Sequence, residues 1–168
     1  MRNIKFQEKV HQKGIKSKQT QSNQEMKTTN LLKLVYISKR MTIGVYQSVS
    51  RLDPTEEKTE IIEEFMREEG KHTMMAVKRL DELGLVTPKK SGEIAERFGE
   101  TIGRAAGFFG WNGVCFFMQI GEEVERLFLE AASRICKNKN DKEILNVIIF
   151  DERKHGDWWK RCSYHRRH

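Results

Sequence analysis

Several common classes of protein are excluded by what this chain has little of. Its 168 residues hold only three cysteines, Cys115, Cys136 and Cys162, in no CxxC spacing. An odd, scattered set of this kind supports neither a disulfide framework nor a thiolate zinc site, and it suits a reducing compartment. The longest stretch without charge, Ala105 to Gly121, is 17 residues, short of the roughly 20 that a spanning helix needs. It is therefore expected to be buried or to lie on a membrane surface. With two prolines and 38% hydrophobic residues, the chain has the length for one compact domain with a real core and not for two. One further absence is local: no Asp or Glu occurs between Met26 and Leu52.

The formal charge of +7 looks like a nucleic-acid signature until it is divided along the chain. Residues 1 to 30 carry seven basic and two acidic side chains, residues 154 to 168 carry five and one, and the segment between is slightly acidic. Basic ends of this kind are read as solvated tails, so nucleic acid is not among the expected partners. The first 29 residues are expected to form a basic, disordered arm, residues 30 to 160 a bundle, and residues 161 to 168 a basic tail. No secretory signal is visible, and the arm is a weak mitochondrial presequence because it holds Glu8 and Glu25.

Apolar residues recur at helical spacing throughout. The first stripe is Leu31, Val35, Met41, Val45, Val49 and Leu52, closed by Asp53 and Pro54. Asp53 is a natural N-cap for a second helix, with Pro54 in its first turn and Glu56 and Glu57 at the positive end of its dipole. That helix turns Ile62, Phe65, Met66, Ala76, Leu80 and Leu83 inward and stops at Gly84. Residues 84 to 92 read as a connection. A new pattern begins at Glu93 and runs through Val124, Leu127, Phe128 and Ile135 to a break at residues 137 to 141. Its glycines Gly99, Gly103 and Gly107 leave one face bare for close approach of a neighbour. A last helix carries Leu145, Ile148, Phe150 and Trp159, and no strand pattern competes.

Two of these helices carry Glu-x-x-His. Positions i and i+3 share a helix face, so Glu69 with His72, and Glu152 with His155, can each offer a carboxylate oxygen and an imidazole nitrogen to one metal. The motif alone is weak, since Glu8 and His11 form a third copy in the polar arm. Its setting strengthens it, because each of the other two pairs replaces apolar residues on an inward stripe: 62, 65, 69, 72, 76 and 145, 148, 152, 155, 159. Buried Glu and His need partners, and metal is the commonest for this set. In an antiparallel hairpin, ligands at one level lie equally far from the turn. Glu152 is then matched near position 124, where Glu122, Glu123 and Glu125 stand, and Glu69 near position 38, where there is no acid. These patterns predict an all-α, ferritin-like four-helix bundle of the di-iron carboxylate kind, with an additional apolar helical segment before helix three.

Across roughly residues 30 to 160 the chain resembles the demethoxyubiquinone hydroxylases of ubiquinone biosynthesis. The likeness rests on EEGKH (68 to 72), on GFFGWNGVCFFMQIGEE (107 to 123) and on FDERKH (150 to 155). The resemblance implies an iron cofactor, two ions in the family, held here by Glu69, His72, Glu122, Glu152 and His155. It implies an oxygen-dependent hydroxylation of a prenylated quinol at a membrane surface, on the bacterial cytoplasmic or mitochondrial matrix side. A prenylated quinone-like lipid and a protein of a quinone-biosynthesis complex become the expected partners. The chain departs from the family in helix one, where a Glu stands in the family. Ungapped counting puts that position at Lys39, which agrees with the turn geometry, whereas the local likeness of IGVY (43 to 46) puts it at Val45. Lys39 then either faces solvent or pairs with Glu69 or Glu152 as a substitute cation.

Two functions of different class follow. One is a di-iron monooxygenase with water or another group closing an incomplete shell. The other is a non-catalytic relative, metal-poor or with one metal, that binds a lipid or protein through residues 98 to 120. Phe65, Phe116, Phe128 and Trp158 are either channel lining or plain core.

Overall fold

A computed structural model describes residues 30 to 52 and 55 to 164. Among these residues there are five helices and no strand: α1 (residues 30 to 49), α2 (Glu56–Glu82), α3 (Lys89–Gly107), α4 (Gly110–Ile135) and α5 (Lys139–Tyr164). The result is an all-helical bundle. The expected Asp53 cap and Pro54 lie outside the described residues, as do the whole of the basic arm and the end of the basic tail. Helix α5 runs to Tyr164, past the expected tail boundary.

Helix α2 ends as the sequence predicts. Gly84 takes a φ of +67°, and the Leu85 N–H donates to the Leu80 carbonyl at 2.8 Å while the Gly84 N–H donates to Asp81 at 2.8 Å, a C-terminal turn that needs a residue tolerant of positive φ. Leu83, expected inward, is exposed there. The next segment differs from expectation. Helix α3 already starts at Lys89, after Pro88, and the pattern from residue 93 to 135 is divided at Phe108 and Phe109, where Gly110 has a φ of +69°. The additional segment expected before the third bundle helix is thus a separate helix, though amphipathic where an apolar one was expected. The uncharged stretch from Ala105 to Gly121 is therefore no single helix. It straddles the corner between α3, which is amphipathic and charged along most of its length, and α4. At the last turn, Asn138 Oδ1 accepts the Asp141 N–H at 3.1 Å and caps α5.

The glycine face of α3 packs on α1. A Cβ at Gly99 would collide with the Met41 carbonyl, one at Gly44 with the Glu96 carbonyl, and one at Gly103 would lie 2.7 Å from the Ser48 Cβ. The two backbones can approach this closely only because those positions carry hydrogen. Ser48 Oγ donates to the Glu100 carbonyl at 2.8 Å and Arg40 pairs with Glu96 across the same contact.

Two separate apolar clusters fill the interior. One joins Tyr46, Ile62, Phe65, Val114, Met118 and Trp159, and the other Val35, Ala76, Leu129, Leu145 and Ile148. Each fully buried aliphatic or aromatic side chain contributes about 1.5–3 kcal/mol, so the two clusters carry the bundle. Between them, on α1, α2, α4 and α5 alike, the buried positions change from apolar to ionisable.

Candidate metal centre

Six ionisable side chains fill that middle layer: Lys39, Glu69, His72, Glu122, Glu152 and His155, none more than 2% exposed. Each arrives there because it occupies the helix position where an apolar residue would point inward one turn above or below. The five expected ligands, Glu69, His72, Glu122, Glu152 and His155, are all in this layer, Glu123 is on the surface, and Lys39, not Val45, is the α1 residue among them. Val45 lies in a groove wall instead.

Lys39 does not face solvent. Its Nζ lies 3.0 Å from Glu69 Oε2 and 3.0 Å from Glu125 Oε1, and it donates to Glu152 Oε1. Burial alone would depress the ammonium, but Glu125, Glu69, Glu152 and Glu122 together hold it well above its ordinary value. Three carboxylates, Glu69, Glu125 and Glu152, stand within ion-pair distance of it inside the bundle. Glu125 is itself fixed by α1, accepting from Ser38 Oγ at 2.6 Å and from Thr42 Oγ1 at 3.2 Å.

The histidines are braced across the bundle. His72 Nε2 on α2 meets Asp151 Oδ2 of α5 at 2.9 Å, and His155 Nε2 on α5 meets Glu68 Oε2 of α2 at 2.7 Å. Both Nδ1 atoms are left facing the central carboxylates without a hydrogen-bond partner, the arrangement by which an outer carboxylate orients a ligating imidazole. Tyr46 OH donates to Glu122 Oε1 at 2.5 Å and accepts from Trp159 Nε1 at 3.2 Å. The Tyr46 phenol is pushed well up by burial and by Glu122, so it remains a donor.

The carboxylates are unequal. Burial works against ionisation of Glu69, but Lys39, His155 and His72 pull it far below the usual range. Burial, then Glu69 and Glu122, push Glu152 up in spite of Lys39. Burial also opposes the His155 cation, yet Glu122 and Glu69 raise the imidazole to about 10. Lys39 Nζ and His155 Nδ1 thus face the same buried carboxylates from opposite sides.

Glu69, Glu122, Glu152 and His155 each place one ligand atom within 4.8 Å of the others, all buried. Unpartnered buried atoms on all four, Glu69 Oε1, Glu122 Oε2, Glu152 Oε2 and His155 Nδ1, fit a metal ion. The fifth expected ligand, His72, stands apart from that set, on the side where Lys39 lies.

Two grooves reach this layer. An apolar one of about 480 Å³ runs between α1, α3 and α4, lined by Met41, Val45, Ile102, Phe117, Met118 and Phe128 together with Glu122 and Glu125. A polar one of about 480 Å³ between α4 and α5 is lined by Glu123, Arg126, Arg153, Asp157 and Lys160 and touches Glu152. Phe65 is core, stacked on His155 with ring centroids 4.2 Å apart. Trp158 packs edge-on against Phe65, Phe128 lines the apolar groove, and Phe116 is exposed.

Sequence reasoning missed four contributors: Tyr46, Glu68, Asp151 and the part played by Glu125. A signal existed for two of them, since Glu68 and Asp151 directly precede the ligand Glu in EE-x-x-H and DE-x-x-H. No family model, characterised protein or solved structure matches the chain. Its class rests on its own geometry, that of an all-helical bundle around a buried carboxylate and histidine cluster able to hold a metal ion.

Proposed function

We propose that the chain is a ferritin-like relative of the demethoxyubiquinone hydroxylases that binds a prenylated, quinone-like lipid at a membrane surface without the di-iron oxygen chemistry of that family. The observation that carries this reading is the Lys39 ammonium held among Glu69, Glu125 and Glu152. Two ions bridged by carboxylates need both oxygens of the bridging groups, and here Glu152 Oε1 accepts a hydrogen bond from Lys39 Nζ while Glu69 Oε2 lies 3.0 Å from the same nitrogen. The lipid half of the reading is supported by the apolar groove ending at Glu122 and Glu125. It is supported too by Phe98, Phe108, Phe109 and Phe116, each more than half exposed around the α3–α4 corner. No helix among the described residues is long and apolar enough to cross a membrane, so contact with lipid would be peripheral.

The test pairs binding with turnover. A short-chain ubiquinone analogue should quench tryptophan fluorescence saturably, and Phe117→Glu should weaken that binding. Iron-loaded protein given the demethoxy quinol, oxygen and a reductant should form no hydroxylated product over many equivalents. Sustained hydroxylation would overturn the proposal in favour of the second reading, a quinol monooxygenase. That alternative draws its support from the free Nδ1 atoms of both histidines.

A further inference from the structure

Glu69 and Glu152 each point one oxygen to either side of the polar layer. Glu69 Oε2 and Glu152 Oε1 face Lys39 and lie 3.8 Å and 3.6 Å from His72 Nδ1. The opposite oxygens face His155 Nδ1, Glu69 Oε1 at 3.5 Å and Glu152 Oε2 at 4.0 Å, with Glu122 Oε2 at 3.8 Å from the same nitrogen. From this asymmetry we infer that the bundle binds a single divalent transition-metal ion at Glu69, Glu122, Glu152 and His155, the Lys39 ammonium taking the place of a second ion beside His72.

Several observations converge on the His155 side. Its four inward atoms have no hydrogen-bond partner although all are buried. Two donors bound at about 2.0–2.2 Å to one tetrahedral ion lie roughly 3.4 Å apart, close to the 3.5, 3.8 and 4.0 Å that separate His155 Nδ1 from the three carboxylate oxygens, within a set whose atoms all lie within 4.8 Å of one another. Three carboxylate oxygens and one imidazole nitrogen suit Fe²⁺, Mn²⁺, Co²⁺ or Zn²⁺. The ligands are already oriented from behind, His155 by Glu68 and Glu122 by Tyr46. The polar groove between α4 and α5 has Glu152 in its lining.

The His72 side differs in one respect that decides the stoichiometry. An ion there would have to bind Glu69 Oε2 and Glu152 Oε1, the oxygens that already contact Lys39 Nζ. Ion and ammonium would then occupy overlapping volumes. The ammonium has no easy way out, because Glu125 anchors it and is itself anchored by Ser38 and Thr42.

The experiment titrates metal-stripped, full-length protein with Co²⁺ alone, following the visible absorption of the bound ion and the bound stoichiometry after desalting. Saturation at one equivalent per chain is expected, and His155→Ala should lose at least about tenfold more affinity than His72→Ala. No visible band, two bound equivalents, or equal losses from the two histidine variants would overturn the inference. Should His155→Ala not fold, the stoichiometry of the unmodified protein decides alone. Lipid binding is read separately by fluorescence, so failure here and failure of the lipid-binding proposal are distinguishable.

Discussion

Lys39 of α1 and Glu125 of α4 stand 3.0 Å apart inside the bundle, so a further carboxylate near position 124 answers the buried cation of α1. Glu125 lies one turn beyond Glu122 on the same face, and the two divide the work: Glu122 turns to His155 and Glu125 to Lys39.

Removing the cation should therefore be costly. Lys39→Met keeps the volume but strands Glu69, Glu125 and Glu152, and loss of one partner from a buried charge cluster costs about 3–5 kcal/mol. Urea unfolding of metal-free protein should show that loss as a lower midpoint.

Lys39→Glu should fold poorly without metal and be rescued by it. Co²⁺ or Fe²⁺ should raise its melting temperature steeply, since ligands that bind only the folded state stabilise it, and bound metal should rise from one towards two per chain. Val45→Glu should show neither effect, because Val45 lines the apolar groove, where an acid meets no ligand set.

The legibility of this centre in the sequence follows from the kind of signal each residue leaves. Glu69, His72, Glu152 and His155 interrupt apolar stripes, and a buried charge in such a stripe is conspicuous. Lys39 could be placed by counting from the turn, but nothing local separates a buried lysine from a solvated one. Its position depends on Glu69, Glu125 and Glu152, which reach it from three other helices. A separate segment before the third bundle helix was legible, but its end was not: the apolar pattern runs unbroken through Phe108 and Phe109, and only the positive φ of Gly110 marks where the two helices part. The close contact announced by Gly99 and Gly103 was legible, while its partner, α1, was not.

That contact sets the third expectation. Gly99→Ala would drive a methyl group into the Met41 carbonyl, a backbone atom that cannot swing aside. A loss of about 1–3 kcal/mol is expected. Gly121→Ala, helical and meeting nothing within 4 Å, should instead gain about 0.5–1 kcal/mol. Chemical denaturation of the two variants should give shifts of opposite sign.

Flotation with anionic vesicles should carry the full-length protein into the lipid fraction. Phe108 is 90% and Phe109 69% exposed at the α3–α4 corner, and replacing both by Ser should leave most of the protein at the bottom of the gradient while circular dichroism is unchanged.

The cysteines should separate by pH. The Cys162 thiol is lowered by a hydrogen bond from Cys115 and, against burial, by Lys58, whereas burial raises Cys136. The thiolate is the nucleophile, so the Cys162 alkylation rate should reach half its maximum below the ordinary thiol range and that of Cys136 above it. Peptide mapping after iodoacetamide pulses at stepped pH distinguishes them.

The crossed bracing of the histidines also bears on how the chain reaches its native state. Glu68 serves the histidine of α5 and Asp151 serves that of α2, so residues 79 and 87 positions apart in sequence must meet before either imidazole is oriented. Neither half of the chain can orient its own histidine, although the α4–α5 hairpin by itself carries Glu122, Glu152 and His155. Because such distant contacts are reached only after loop closure has been achieved, the polar layer should organise after the α4–α5 hairpin. The full ligand set is then complete only in the finished bundle, when Glu69 of α2 joins the three ligands of the hairpin.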